Sequence, residues 1–546
     1  MNEGTVALVA TAVARHLREQ EPPGSTVIVG GDARHGSARF VQVAAAVVAE
    51  AGFVVVVPGA PVPTPVVAAA VRARDAAAGL MVTASHNPAG DNGVKVYGRG
   101  GAQIVPPTDA HIEAHLLAAA RDGVRVPVAG GEGAVGRGDV PGEVDDDATP
   151  AGIAVPTAGH GAVRVDPTLV DDYVATLIAR LPRPVRPPRV ALTPVHGVGG
   201  EICVRVLAGI GIHDVMMVAE QSVPDPDFPT VDSPNPERPQ TTDRLLELAA
   251  EIDADVAIAL DPDADRCAVG VAGPDGRWRM LDGDQTGAVL ADHLLREPLA
   301  GVETGGETVV EGAPVVASTI VSSRLPSLLV PARGGRHVET LTGFKWLVRA
   351  GEPLRYAYEE AIGHCVLPQV VADKDGISAA AAWCAMVGSG GPSVGDRLAA
   401  LEAEFGAHLR RNTSLPLAAG ADPADALERA TAMLGEGAPL GGVAALGRVA
   451  GLGDAAAPDD SGALAAPGGT DAALVGCIAR PLEGTAGIRV DVDGARAVIR
   501  PSGTEPLLKI YVEAWTPPAP TPADRSGAEL RLAQLSAAVA RTVAGE

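Results

Sequence analysis

The stretch Ser25–Gly59, "STVIVGGDARHGSARFVQVAAAVVAEAGFVVVVPG", decides the fold. The β-branched run "TVIV" ends at a Gly-Gly-Asp turn, and an Ala/Val-rich segment, "ARFVQVAAAVVAEA", then reads as a helix. It stops at Gly52, a residue type favoured just past a helix end because it tolerates the left-handed conformation. A second run, "FVVVVPG", reads as the next strand. Downstream, "PTPVVAAAVRARDA" repeats the helix and "AGLMVTA" the strand. Strand alternating with helix implies βαβ units and a mostly parallel sheet.

The same grammar returns in "PRVALTPVHGVGGEICVRVLAGIG" and "ADVAIALDPDADRCAVGVAG", which predicts a second and a third α/β domain. A chain of 546 residues is also longer than one hydrophobic core usually serves. Residues 127–163 and 435–470 break the pattern, being rich in Gly, Pro and Ala without apolar periodicity, and read as flexible insertions or linkers. A last unit ends in the helix "AELRLAQLSAAVARTV".

A net charge of −24 with no Lys/Arg stripe argues against nucleic acid as a partner, so an anionic substrate must be met by locally placed cations. Five scattered cysteines without a CxxC pair suit a reducing cytoplasm. The N-terminus, "MNEGTVALVATAVARHLREQ", has the spacing of an amphipathic helix and not of a signal peptide. The longest uncharged run, Ala51–Val71, carries Pro58, Pro61, Pro63 and Pro65 and is no membrane span. These features read as a soluble cytoplasmic protein; no residue pattern speaks to oligomeric state.

Four clusters carry chemistry. In "LMVTASHNPAGDNGVKVY", Ser85 follows a buried-looking strand, where a parallel sheet opens its crevice. It is either a turn-forming serine or a nucleophile, with His86 beside it and Lys95 ten residues on. A hydrolase triad is not expected, since neighbours on an extended chain point to opposite sides and no G-x-S-x-G surrounds Ser85. In "DPDADR", Asp261, Asp263 and Asp265 can converge on one hard cation such as Mg²⁺, with Arg266 next to them; an acidic surface turn and a D-x-D phosphotransferase with an aspartate nucleophile are the alternatives. Glycine and glutamate are missing from the sixth and twelfth positions, which excludes an EF-hand. In "RPSGTEP", Arg500, Ser502, Gly503 and Thr504 combine a guanidinium, hydroxyls and turn N–H groups suited to phosphate. Glu359 and Glu360 in "RYAYEEAIG" are paired acceptors for sugar hydroxyls or a solvated helix start. Lys374, with Thr342 and Gly343 in "TLTGFKW", are weaker candidates for substrate contact.

Taken in order, "TASHNPAGDNGVKVY", "DPDADR", "YEEAIG", "DKDGISA" and "RPSGTEP" resemble the α-D-phosphohexomutase family, in particular the phosphoglucomutase and phosphopentomutase branch with an E-E-A-I-G sugar loop. "TPVHGVGG", "FPTVDSPNPE", "LDGDQTGA" and "TLTGFKW" extend the match. The resemblance implies three related α/β domains plus a smaller C-terminal α+β domain around a central cleft. It assigns 1–165 to a phosphoserine domain, 166–280 to a metal-binding domain, 281–405 to a sugar-recognition domain and 406–546 to a phosphate-binding domain. It implies a mutase interconverting sugar 1- and 6-phosphates, glucose first, then mannose or a pentose, through a phosphoserine and a bisphosphorylated sugar that also serves as activator. Ser85, His86 and Lys95 are then the catalytic candidates, and Ser85, Asp261, Asp263 and Asp265 the Mg²⁺ ligands. Arg266, Thr342, Gly343, Glu359, Glu360 and Lys374 contact substrate. Arg500, Ser502, Gly503 and Thr504 hold its non-reacting phosphate. Closure of the cleft would keep water from the phosphoserine.

Two departures stand out. The family opens with a strand resembling F-G-T-x-G-x-R-G, whereas "MNEGTVALVATAVARHL" resembles the helix after it. The expectation is a coding start further upstream; a sugar-phosphate binding protein impaired in catalysis is the alternative. Ala361 stands where related mutases often carry a serine, which keeps a pentose phosphate in play. Asp32 and Arg34 in "GGDARHGS" match the family's next turn and are expected to be structural or at the cleft edge.

Overall fold

Asn2 starts helix α1 (Glu3–Arg18) by accepting from the Thr5 backbone N–H, and Val6, Ala10, Val13 and Leu17 line its buried face at helical spacing. The computed structural model describes residues 1–124, 126, 161–297, 312–417, 425–428, 478–502 and 507–544. Residues 1–398 form one compact unit and residues 399–546 another.

In the first unit β1 (Thr26–Gly31), α2 (Ser37–Glu50), β2 (Val54–Val57), α3 (Thr64–Ala73) and β3 (Ala78–Val82) follow the alternation read from the sequence. Gly52 has φ 99°, the left-handed value expected one residue past the Ala51 cap of α2. Next come β4 (Val94–Gly98), α4 (Thr108–Asp122) and β5 (Ala162–Val165). The sheet order is β4-β3-β1-β2-β5, parallel except that β4 runs against β3. β3 is buried along its whole length, which accounts for its unbroken apolar run.

The expectation that residues 127–163 form one insertion needs correction at its end, because Ala162–Val165 pair with β2 as an edge strand. Gly161 precedes it where an added Cβ would come within 1.9 Å of the Ala49 carbonyl, so a glycine required for packing looks like linker composition. Residues 127–160 and 435–470 lie outside the described residues.

The second sheet contains β6 (Val190–Thr193), β7 (Val215–Met217), β8 (Val256–Leu260), β9 (Cys267–Ala272) and β10 (Trp278–Met280), in the order β10-β9-β8-β6-β7, with helices α5 (Thr168–Arg180), α6 (Gly200–Gly209) and α7 (Pro239–Glu251). The third follows α8 (Gly283–Arg296) and has the order β12-β11-β13-β14, from β11 (Val315–Thr319), β12 (Arg336–Thr340), β13 (Leu354–Glu359) and β14 (Gly363–Cys365). Helices α9 (Leu325–Ala332), α10 (Phe344–Leu347), α11 (Gly376–Val387) and α12 (Val394–Phe405) complete this stretch. The three sheets share one device. A strand parallel to its neighbour (β3, β8, β13) turns into an antiparallel partner (β4, β9, β14). Each turn contains a non-glycine residue at positive φ: Ser85 at 52°, Ala264 at 52° and Ile362 at 55°. These turns lie at the carboxyl ends of buried strands, where open α/β sheets place ligands.

The second unit is built differently. β15 (His408–Pro416), β16 (Ile478–Pro481), β17 (Ile488–Val492), β18 (Ala495–Pro501) and β19 (Leu507–Trp515) form an antiparallel sheet in the order β15-β19-β18-β17-β16. Its inward residues, among them Val490, Ile499, Ile510 and Val512, pack on Leu532, Leu535 and Val539 of helix α13 (Pro522–Ala544). The whole is therefore three α/β sheets plus a C-terminal α+β unit. Among the described residues no helix is long and apolar enough to cross a membrane.

Candidate active site

The β3–β4 turn carries Ser85. Its backbone N–H donates to Thr83 Oγ1 at 2.8 Å, and Thr83 Oγ1 donates to Asp32 Oδ2 at 2.7 Å. The rest of the turn is held by Arg34, which is buried. Its guanidinium donates to the carbonyls of Ser85 and Asn87 at 2.6 Å, of Pro88 at 2.8 Å and of Asp91 at 3.2 Å. Asp32 lies 3.5 Å from Arg34 Nε, and the Phe228 ring covers the guanidinium with 5.0 Å between Cζ and centroid. Arg34 is thus more than a cleft-edge residue: it ties down the backbone of the serine turn. The motif "GGDARHGS" announced a turn, but not that its arginine reaches more than fifty residues ahead.

Ser85 Oγ donates to Asp261 Oδ2 at 2.7 Å, so the structure brings together the two motifs, which are 176 residues apart. His86 Nδ1 lies 3.3 Å from the same oxygen. This corrects the expectation that adjacent side chains point apart, since Ser85 at φ 52° is not extended and the turn swings the ring back. Arg266 above all, then burial, hold the His86 imidazole down to about 2, so it is neutral at physiological pH.

Asp261, Asp263 and Asp265 are fully buried in the β8–β9 turn, and one oxygen of each falls within 4.8 Å of the others. Lys95, on β4, donates to Asp263 Oδ2 at 2.7 Å and Asp265 Oδ2 at 2.5 Å. Lys374 Nζ lies 3.2 Å from Asp265 Oδ2. Burial, then Asp263 and Asp265, push the Asp261 carboxyl up. For Asp265 burial pushes the same way, but Lys374, Lys95 and Arg266 outweigh it and hold this carboxyl below the usual range. Burial opposes the charge of Lys95, yet Asp263 and Asp265 keep its ammonium above the ordinary lysine value. Asp263 Oδ1 and Asp265 Oδ1 are buried with no hydrogen-bond partner among the described residues. Two unsatisfied anionic oxygens beside Asp261 are a donor set suited to a hard divalent cation, which takes carboxylate ligands.

The carboxylate turn is braced from both sides. Thr64, at the start of α3, donates its hydroxyl to Asp263 Oδ2 at 2.5 Å and its N–H to the Asp263 carbonyl at 3.0 Å. The Gly376 N–H donates to the Ala264 carbonyl at 3.1 Å, and a Cβ at Gly376 would meet the Arg266 carbonyl at 2.3 Å. Gly376 lies in the motif "DKDGISA", whereas Thr64 stands in no pattern that marks it in the sequence.

Glu359, the last residue of β13, faces Lys374 and Arg266. Burial, against both cations, pushes its carboxyl up to about 7. Gly363 must lack a side chain here, since a Cβ would lie 2.6 Å from Lys374 Cδ and 2.9 Å from Glu359 Oε1. Glu360, one residue past the end of β13, has partners of its own: its Oε2 accepts from Thr319 Oγ1 at 2.9 Å and Ser322 Oγ at 3.3 Å. Thr342 and Gly343 occupy the turn before α10, and among the described residues no hydrogen bond or ion pair joins them to the Ser85 cluster. In the second unit Arg500, next to last in β18, donates to the Tyr511 hydroxyl at 3.2 Å, while its Nε is buried without a hydrogen-bond partner among the described residues. The Ser502 N–H donates to the Leu507 carbonyl at 2.9 Å; Gly503 and Thr504 lie outside the described residues.

The sequence matches the phosphoglucomutase/phosphomannomutase alpha/beta/alpha domain I over residues 1–122, domain II over 171–273, domain III over 282–405 and the C-terminal domain over 458–519. A Haemophilus influenzae protein named "Probable phosphomannomutase" is 31% identical over 94% of this chain and 93% of its own length. A human phosphopentomutase is 30% identical over 75% of this chain and 66% of its own. Among solved structures, a phosphoglucomutase/phosphomannomutase family protein of Burkholderia thailandensis superposes with a TM-score of 0.67 at 18% identity, covering 100% of this chain and 93% of that one. The Paramecium phosphoglucomutase pp63/parafusin does so with 0.64 at 17% identity, covering 98% and 91%.

Proposed function

Because the chain belongs to the phosphoglucomutase/phosphomannomutase family of phosphosugar mutases, we propose that it interconverts the 1-phosphate and 6-phosphate of a hexose, glucose first, with Ser85 as phosphoryl carrier. The observation that carries this reading is the 2.7 Å hydrogen bond from Ser85 Oγ to Asp261 Oδ2, within the buried carboxylate cluster. An aspartate nucleophile would leave a serine so oriented without a purpose. A pentose phosphate is the second candidate, favoured by Ala361 in the sugar loop and by relatives named phosphopentomutase and phosphoribomutase.

In this reading the bond between Ser85 Oγ and phosphorus breaks as a free hydroxyl of the sugar phosphate bonds to phosphorus. Oγ keeps the bonding pair and takes up the proton that the attacking hydroxyl gives up, so that a free serine and a bisphosphorylated sugar result. After the sugar reorients, its original phosphate passes to Oγ by the reverse chemistry and the isomer leaves. Charge in a loose phosphoryl-transfer transition state spreads over the equatorial oxygens. Lys95 and Lys374, held as ammonium ions by the carboxylates, answer that charge. A Mg²⁺ held by Asp261, Asp263 and Asp265 would neutralise more of it. His86, neutral and close to Oγ, is a hydrogen-bond partner and too weak a base to take a proton. Arg266 and Glu359 contact the sugar, and Arg500, Ser502, Gly503 and Thr504 hold the phosphate that is not reacting.

Ser85→Ala tests the reading in a coupled assay with glucose 1-phosphate, Mg²⁺ and a glucose bisphosphate activator. Loss of at least about 10⁴-fold in turnover is expected, on the scale of removing a nucleophile. Retained turnover sinks the phosphoserine route, and wild-type protein that binds the sugar phosphate without isomerising it marks a binding protein instead.

A further inference from the structure

Helices α1 and α4 pack side by side, and at the end of α1 they bring together side chains the proposed reaction leaves unused. His16 lies in the last turn of α1 and Glu19 caps it, three residues on and so on the same face. His111 and His115, four apart on α4, meet them. The His16 ring centroid is 6.1 Å from that of His111 and 6.4 Å from that of His115. His115 Nε2 is 3.2 Å from Glu19 Oε1. One donor atom from each of His16, Glu19 and His115 lies within 4.8 Å of the other two. Tetrahedral ligands at Zn–N lengths of about 2.0–2.1 Å sit roughly 3.3 Å apart, so small rotamer shifts close the set on one ion.

His16 carries a second, independent sign. The residue is 5% exposed, and its Nδ1 is buried with no hydrogen-bond partner among the described residues. Its other nitrogen, Nε2, is 3.3 Å from the Gln20 amide Nε2. A flip of that amide lets the Gln20 oxygen accept from Nε2–H and frees the Nδ1 lone pair, the outer support that metal-bound imidazoles take.

We propose that His16, His115 and Glu19 form a site for a borderline divalent transition ion of the Zn²⁺ type, which staples α1 to α4. Two imidazoles and one carboxylate suit Zn²⁺ and its neighbours, whereas Mg²⁺ prefers the all-oxygen set of Asp261, Asp263 and Asp265. A fourth position is left to water or to His111. Nothing in the phosphosugar reaction needs this ion, so the site stands apart from that chemistry.

The test is equilibrium dialysis of the tag-free full chain against Zn²⁺ in millimolar Mg²⁺, which keeps the aspartate cluster supplied. One zinc per chain is expected, with a zinc-dependent rise in melting temperature. His115→Ala at a half-buried position and Glu19→Gln at an exposed one should each weaken zinc binding at least about tenfold and abolish that rise. Their circular dichroism and their turnover without zinc should match wild type. Wild-type protein that takes up no zinc, or variants that keep its stoichiometry and affinity, would overturn the site.

Discussion

Arg34 offers the sharpest test of how the fold positions Ser85 Oγ, the phosphoryl carrier proposed above. The perturbation is Arg34→Lys, with R34A beside it. The arginine supplies two 2.6 Å bonds to the carbonyls of Ser85 and Asn87, which flank His86 beside the reacting Oγ, and two longer ones to Pro88 and Asp91. A hydrogen bond to a charged group contributes about 1.5–3 kcal/mol, so the two short ones amount to roughly 3–6 kcal/mol gross. The turn keeps other supports: Ser85 N–H to Thr83 Oγ1, Thr83 N–H to the Gly93 carbonyl and Asn87 N–H to the Ala84 carbonyl. About 2–4 kcal/mol of positioning should therefore be lost in the transition state, or about 30- to 900-fold in kcat/KM. A lysine restores the charge but presents a point ammonium that cannot span four carbonyls, so R34K should fall nearly as far as R34A. Steady-state kinetics should show the loss mainly in kcat, with the fold of R34K intact by circular dichroism. R34K within twofold of wild type would refute the clamp.

The other predictions concern charge and close approach. With the Glu359 carboxyl pushed up to about 7, it is protonated below that pH and ionised above it, so kcat/KM should rise as pH climbs through about 7 if the carboxylate accepts sugar hydroxyls. Glu359→Gln should lower and flatten this profile; a variant that keeps the wild-type inflection assigns it to another group, such as the substrate phosphate with its pKa near 6. In the C-terminal unit, burial raises Glu513, but its bonds to His408 and Arg496 win and hold it below the usual range. The stability it contributes is present above the unfolded glutamate value and is lost as pH falls towards the folded one. Glu513→Gln should cost about 3–5 kcal/mol at pH 7 in urea unfolding, with the gap to wild type closing in acid; an unchanged midpoint at pH 7 would count against it. Gly197→Ala places a Cβ 2.4 Å from Pro262 Cα and should displace the carboxylate turn, raising the Mg²⁺ needed for half-maximal activity; an unchanged Mg²⁺ dependence would show that the turn yields without cost.

Much was legible from residue order because it depends on local physics. The runs ending at Gly31 and Val57 are strands because β-branched side chains suit parallel positions, the one ending at Val82 because an unbroken apolar run suits a strand buried along its whole length, and Gly52 marks a helix end because it accepts φ 99°. The three short motifs announced themselves because each places polar residues directly after an apolar strand. By contrast, the first two residues of β5 read as linker, since four edge residues behind a glycine carry too little pattern. Adjacency of Glu359 and Glu360 does not show that Glu360 has Thr319 and Ser322 as its partners.

Residue order alone sets the repertoire: three α/β repeats, an α+β end, a serine turn, a carboxylate turn, a loop with two adjacent glutamates and an arginine at a phosphate-like turn. Only the tertiary structure decided who meets whom. It set Ser85 against Asp261, closed Lys95 and Lys374 on the carboxylates, and carried Arg34 to the back of the serine turn. The physical reason is that propensity and periodicity act over a few residues, whereas a site of this kind is fixed by sheet register and by positive-φ turns. His16 and His115 belong to the same lesson: one reads as helix interior and the other as helix surface, and only the packing of α1 on α4 makes them neighbours.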